Sequence, residues 1–196
     1  LGSCGRPNPL VDVKLFDSEM REVAIGEPGE ICVRGTLVMD GYWKRPEATE
    51  EAFRGGWLHT GDVAIKDEEG YLYIVDRTKD MIISGGFNIY PSDIEAVLVR
   101  HEAVAEAAVV GVPSDRWGET PIAVIVPNEG FTAVTADEIR EWANARLGKT
   151  QRIAAAWLAS ALPRNDIGKV SKRHLRDEYA RRAQQVEEAA GPAGAR

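Results

Sequence analysis

Apolar and polar side chains alternate in two short runs near the start of the chain. Val11-Asp12-Val13-Lys14-Leu15-Phe16 is one, Glu30-Ile31-Cys32-Val33-Arg34-Gly35 is the other, and Gly26-Glu27-Pro28-Gly29 supplies a turn between them. A period of two is the pattern of a strand with one buried face. Pro46 followed by Glu47-Ala48-Thr49-Glu50-Glu51-Ala52-Phe53 predicts a short helix, ended by Gly55-Gly56. Asp67-Glu68-Glu69-Gly70 joins strands over Val63–Lys66 and Tyr71–Asp76 as a hairpin. Regular antiparallel strands with glycine punctuation fit a small barrel or the edge of a larger domain.

After about Lys79 the texture changes to alternating helix and strand, which predicts a separate α+β unit. Pro91-Ser92-Asp93-Ile94-Glu95 opens a helix, with Ser92 and Glu95 at capping-box spacing and Ile94, Val97 and Leu98 on one face. Ala107–Val112 and Ile122–Val126 read as apolar strands ended by Pro113 and Pro127. Thr135-Ala136-Asp137-Glu138 is a second capping box, starting a helix with Ile139, Trp142, Ala143 and Leu147 on one side. Ala154–Leu158 reads as a strand, Leu175 and Tyr179 share a helical face, and the Ala/Gly-rich tail from Glu187 is expected to fray. The expected fold class is α+β: a small antiparallel β-rich segment over 1–78, a compact domain with a short mixed sheet flanked by helices over 79–185, and a flexible tail over 186–196.

Composition changes this picture little. The 196 residues are 44% hydrophobic and 28% charged, as in soluble globular proteins and unlike disordered ones. No apolar run reaches the roughly 18 residues of a membrane span. The start, Leu1-Gly2-Ser3-Cys4-Gly5-Arg6-Pro7, has neither a leader pattern nor an initiator Met and reads as the middle of a longer protein. Cys4 and Cys32 form no metal spacing and no disulfide framework, which fits reduced thiols in a cytoplasmic protein. His59 and His174 stand apart from other ligand-type residues, so no metal site built on protein histidines is expected.

Charge is more informative. The net charge of −7 speaks against a nucleic-acid partner. It is unevenly spread: residues 1–78 carry 9 basic and 15 acidic side chains, whereas 163–182 carry 7 basic and 3 acidic. A local positive patch on an acidic protein suits a small polyanionic ligand.

Three glycine-containing clusters carry candidate chemistry: Trp57–Asp62, Asp76–Pro91 and Leu162–Val170. Taken singly, Asp62 suits a turn, Arg77 a surface ion pair, Gly85-Gly86 a tight turn and Lys169 a solvated loop. Taken together they say more. Asp62 and Arg77, at the ends of one hairpin, can converge on a diol, because a carboxylate accepts from hydroxyls and a guanidinium donates to them. A glycine pair at a strand edge lets a thin ligand pass close to the backbone. A lysine at a loop tip can stabilise negative charge that develops at a reacting centre. This set fits a nucleotide plus a long flexible thiol.

In order and spacing these clusters, with Gly29-Glu30-Ile31-Cys32-Val33-Arg34-Gly35 leading to Gly41-Tyr42-Trp43, resemble the AMP-forming acyl-CoA synthetases, in the superfamily of adenylate-forming enzymes. The resemblance runs from about Gly2 to Tyr179. It implies that residues 1–78 are the end of a large N-terminal domain and 79–185 the mobile C-terminal domain. It implies a ligase that makes an acyl-adenylate from a carboxylic acid and ATP, then a thioester with CoA. Asp62 and Arg77 then hold the ATP ribose, Lys169 is the adenylation lysine, Lys79 sits at the hinge, and Gly85 and Gly86 line the pantetheine tunnel. Trp117 matches either a tunnel wall or a core residue. Lys169 also matches a lysine that is acylated to silence such enzymes.

The family's phosphate loop, acyl pocket and Mg²⁺-binding glutamate have no counterpart in this chain, which is therefore expected to be inactive by itself. Lys149-Thr150-Gln151-Arg152 departs from the family pattern, which leaves any CoA-nucleotide contact there open. The Phe87-Asn88-Ile89-Tyr90-Pro91 form of the loop resembles fatty-acid and coumarate-type ligases more than acetyl-CoA synthetases. A fatty acid is the expected substrate; aryl-acid ligation and the loading of a carrier protein are the alternatives. The resemblance is silent on oligomeric state.

Overall fold

The computed structural model describes residues 2–131 and 133–190. The chain divides into two compact units, Leu1–Lys79 and Asp80–Arg196. In the first, β1 (Val11–Phe16), β2 (Pro28–Gly35), β3 (Leu58–Lys66) and β4 (Leu72–Arg77) form one antiparallel sheet in the order β1-β2-β3-β4. Helix α1 (Pro46–Ala52) lies between β2 and β3, with proline in its first turn. Alternate positions bury Leu15, Ala64 and Leu72, while Phe16, Cys32 and Trp57 form a second cluster. Phe16 meets Trp57 edge-on at 5.4 Å.

The expected barrel is an open meander among the described residues. The outer strands β1 and β4 do not pair, and Gly5 bridges to Leu72 along the β4 edge. Strand β3 starts at Leu58, five residues before the alternation predicted. Gly61 has φ 74°, and the register shifts between Val63 and Ala64 and opposite it between Glu30 and Cys32. These bulges break the period of two without ending the strand.

In the second unit β5 (Ile82–Ser84) and β6 (Phe87–Ile89) make a hairpin, followed by α2 (Pro91–Leu98). Strands β7 (Val104–Ser114) and β8 (Gly118–Pro127), helix α3 (Ala136–Asn144), strand β9 (Ala155–Leu158) and helix α4 (Lys172–Ala190) complete it. The sheet order is β6-β5-β8-β7, with β9 parallel to β8 and every other pairing antiparallel. This is the mixed sheet expected.

Both faces of β7 and β8 are covered, which is why they read as continuous apolar runs. Val109, Ala123 and Ile125 face Ile94, Leu98 and Ile139 of α2 and α3; Val110, Val112, Ile122 and Val124 face Leu162 and Leu175. Pro127 is the last residue of β8, as expected, and β7 runs one residue past Pro113, to Ser114. Each proline lies near an end of the ladder, where a missing N–H costs little.

The Thr135/Glu138 capping box forms as predicted. The Ser92/Glu95 box does not: Tyr90 is the N-cap of α2, and the Glu95 carboxylate accepts from Val109 N–H and pairs with Lys172 at 3.0 Å. Helix α4 continues to Ala190, past the expected start of the tail; residues 191–196 lie outside the described residues. Among the described residues no helix is long and apolar enough to cross a membrane.

Candidate active site

Asp62 and Arg77 are direct register partners on β3 and β4, and Arg77 Nε donates to Asp62 Oδ1 at 2.9 Å. Among the described residues no hydrogen bond engages the second Asp62 oxygen or the other two guanidinium nitrogens, and the side chains are 29% and 50% exposed. This arrangement presents a carboxylate acceptor beside planar donors, as a vicinal diol requires. An open cleft of about 800 Å³ runs past Gly61 and Thr78, the neighbours of the pair.

Lys79 is exposed in a single 3-10 turn, Thr78–Asp80, the last residue of the first unit. Asp80, the first residue of the second, is held to α4 by Arg176 at 3.2 Å.

Gly85 and Gly86 form the two-residue turn between β5 and β6, with φ of 58° and 82°. Positive φ at both positions is what such a hairpin needs. Gly85 has a second constraint: a Cβ there would lie 3.0 Å from the Trp117 ring. Its N–H donates to the Trp117 carbonyl at 2.8 Å. Trp117 is 48% exposed and belongs to neither core cluster of its unit, so of the two sequence readings the core one fails for this unit. A cavity of about 440 Å³ opens here, lined by Ser84, Gly85, Phe87 and Trp117 on one side and by Lys149 and Arg152 on the other.

Lys169 sits at the end of a tight hairpin closed by the bridge Arg164–Val170. Its side chain is exposed, and among the described residues the ammonium makes no hydrogen bond or ion pair. Lys169 and Gly85 belong to the second unit, Asp62 and Arg77 to the first.

One cluster escaped sequence reasoning. His59 Nδ1 pairs with Glu30 at 2.8 Å and lies 3.5 Å from Cys32 Sγ, while Nε2 donates to the Arg54 carbonyl at 3.1 Å. Glu30 also accepts from Gly61 N–H at 3.0 Å, fixing the backbone just before Asp62. Glu30, Cys32 and His59 are the one metal-type grouping among the described residues. Burial, and then the charge of Glu30, push the Cys32 thiol up to about 12. The set offers one carboxylate beside a thiol and an imidazole, whereas Mg²⁺ takes oxygen ligands. The trio serves as a brace for the strand that carries Asp62. His59 lies 29 residues from Glu30 and 27 from Cys32 across a bulged register, so only the folded pairing reveals the set.

Residues 93–169 match the family model of the AMP-binding enzyme C-terminal domain, and residues 1–43 match that of the AMP-binding enzyme. The chain belongs to the AMP-binding enzymes and carries their C-terminal domain.

Its relatives are more specific. The chain is 45% identical over 177 residues to a long-chain-fatty-acid–CoA ligase of Escherichia coli O157:H7, covering 90% of this chain and 31% of that protein. A feruloyl-CoA synthase of Amycolatopsis is 45% identical over 179 residues, covering 91% and 36%. Among solved structures, ATP-bound MatB from Rhodopseudomonas palustris is 37% identical with a TM-score of 0.84, covering 91% of this chain and 36% of that one. The chain thus spans about a third of the length of the curated relatives it matches.

Proposed function

We propose that the full-length gene product is an AMP-forming acid–thiol ligase of the cytoplasm, acting on a fatty acid with ATP and CoA. The observation that carries this reading is the similarity to CoA ligases over nine-tenths of the chain, with the Asp62–Arg77 rung, the glycine turn and the lysine hairpin all present in it. In the first step a carboxylate oxygen attacks the α-phosphorus of ATP and the bond to pyrophosphate breaks. In the second the CoA thiol attacks the acyl carbon, AMP leaves with its oxygen, and the thiol proton passes to solvent.

Each residue has a part in this scheme. Asp62 and Arg77 hold the ribose hydroxyls. Lys169 neutralises charge between carboxylate and phosphate in the first step. Gly85 and Trp117 border the path of the pantetheine arm, and Lys149 and Arg152, on the rim of the same cavity, suit the phosphates of the CoA nucleotide. The mobile domain, 79–185, pivots at Lys79 between steps, a gating motion rather than an effect on the chemistry. No step is assigned to Mg²⁺ through this chain. The similarity to a feruloyl-CoA synthase supports an aryl acid as the second reading of the substrate.

The test follows AMP release by the full-length gene product from ATP, with fatty, aryl and small dicarboxylic acids, with and without CoA. AMP release needing a fatty acid and CoA is the expected result. Pyrophosphate release with no CoA-dependent AMP would instead mark a carrier-loading enzyme and overturn the ligase. In the same assay Lys169→Ala should abolish adenylate formation and spare thioester formation from supplied acyl-adenylate.

A further inference from the structure

Lys169 is exposed and unpaired, yet the backbone beneath it is unusually well tied. Asn165 Oδ1 accepts from Lys169 N–H at 2.9 Å and from Ile167 N–H at 3.2 Å. Asn165 N–H donates to the Lys169 carbonyl at 2.8 Å, and Gly168 N–H donates to the Asn165 carbonyl at 2.8 Å. Gly168 takes a φ of 79°, which a side chain would strain.

The base of the hairpin is tied to the sheet as well. Arg164 forms an ion pair with Glu106 of β7 and donates from Nη1 to the Gly168 carbonyl at 2.9 Å. Ser171 N–H closes the far side on the Pro163 carbonyl at 2.8 Å. Lys172, at the start of α4, is locked by Glu95 at 3.0 Å.

From these contacts we infer that Asn165 is a positioning residue for Lys169, and that the Glu106–Arg164 pair supports it. The inference rests on the reading of Lys169 as the adenylation lysine. The physical reason is specific to a side-chain amide at this place. An asparagine that accepts two backbone N–H groups fixes the turn without help from the tip residues. Asp166 and Ile167 are both exposed, Ile167 by 74%, and supply no packing of their own. Remove the amide oxygen and two N–H groups turn to water, the turn opens, and the aim of the lysine spreads. Misplacement of a catalytic group by about 1 Å can cost on the order of a hundredfold in rate.

The experiment uses the full-length gene product and measures its two half-reactions separately, pyrophosphate exchange for adenylation and thioester formation from supplied acyl-adenylate. Lys169→Ala is the control. Asn165→Ala should lower adenylation kcat by about ten- to a hundredfold with KM for ATP little changed, and leave the thioester step intact. Asn165→Asp keeps the acceptor oxygen and should restore most of the rate. Glu106→Gln should lie between wild type and Asn165→Ala. Adenylation unaffected in Asn165→Ala, while Lys169→Ala loses it, would overturn the inference alone. Equal loss of both half-reactions in Asn165→Ala would overturn it too, since that marks a general folding defect. Retained adenylation in Lys169→Ala would overturn the reading on which it rests.

Discussion

At Cys32 two effects push in one direction. The side chain is fully buried between Phe16 and Trp57, and the Glu30 carboxylate adjoins it, so the thiol is driven up to about 12. Near neutral pH it should resist alkylation in the native protein, while the exposed Cys4 is labelled. Peptide mass spectrometry after iodoacetamide treatment checks this. Equal labelling of both peptides before denaturant is added would contradict the packing described. The same residue scale shows what is legible without a structure. Asp62 and Arg77 could be brought together by eye because they stand at the two ends of one hairpin, although the bulge between Val63 and Ala64 sets their direct register. His59 could not be linked to Glu30, since a bulge between Glu30 and Cys32 decides which residues of β2 and β3 face each other.

The two S/T-x-x-E patterns make the corresponding point for elements. Thr135 caps α3, and Glu138 accepts from the Thr135 backbone N–H and hydroxyl, each at 2.8 Å. The backbone bond first, then the hydroxyl, hold the Glu138 carboxyl below its ordinary value of 4.5. A depressed folded value means that the contribution to stability is full above 4.5 and is lost as pH falls through the lowered value. Thr135→Ala should therefore reduce the urea midpoint at neutral pH and have progressively less effect in the acid range. Parallel midpoint curves for the two proteins at every pH would refute the linkage. At α2 the same spacing gives no box, because Glu95 has a stronger use: it satisfies Val109 N–H and pairs with Lys172, contacts that come from 14 residues away and from α4. Local spacing proposes a cap, and tertiary partners decide whether the carboxylate is free to make it.

For the whole molecule, the change from antiparallel hairpins to alternating helix and strand near Lys79 coincides with the division at Lys79 and Asp80. It was visible because the period of the pattern changes there. What was not visible is how early the strands begin: β7 starts at Val104 and β8 at Gly118, ahead of the apolar runs that mark them. If Lys79 is the pivot between half-reactions, fixing its backbone should separate them. Lys79→Pro removes an N–H and sets φ near −65°, so adenylate formation should survive and thioester formation should be lost. Half-reaction assays on the full-length gene product check this. Normal thioester synthesis by the variant would remove the pivot from this position.

The supports of Lys169 have a consequence for timing. Glu95, Glu106, Arg164, Asn165 and Lys172 all belong to the second unit, so the lysine and its mount form one cassette. Such a loop gives up its conformational entropy once, when the unit folds, and not afresh at every turnover. If the proposed ligase reaction holds, arranging that hairpin is not repeated from one cycle to the next; the tool arrives already set in its holder.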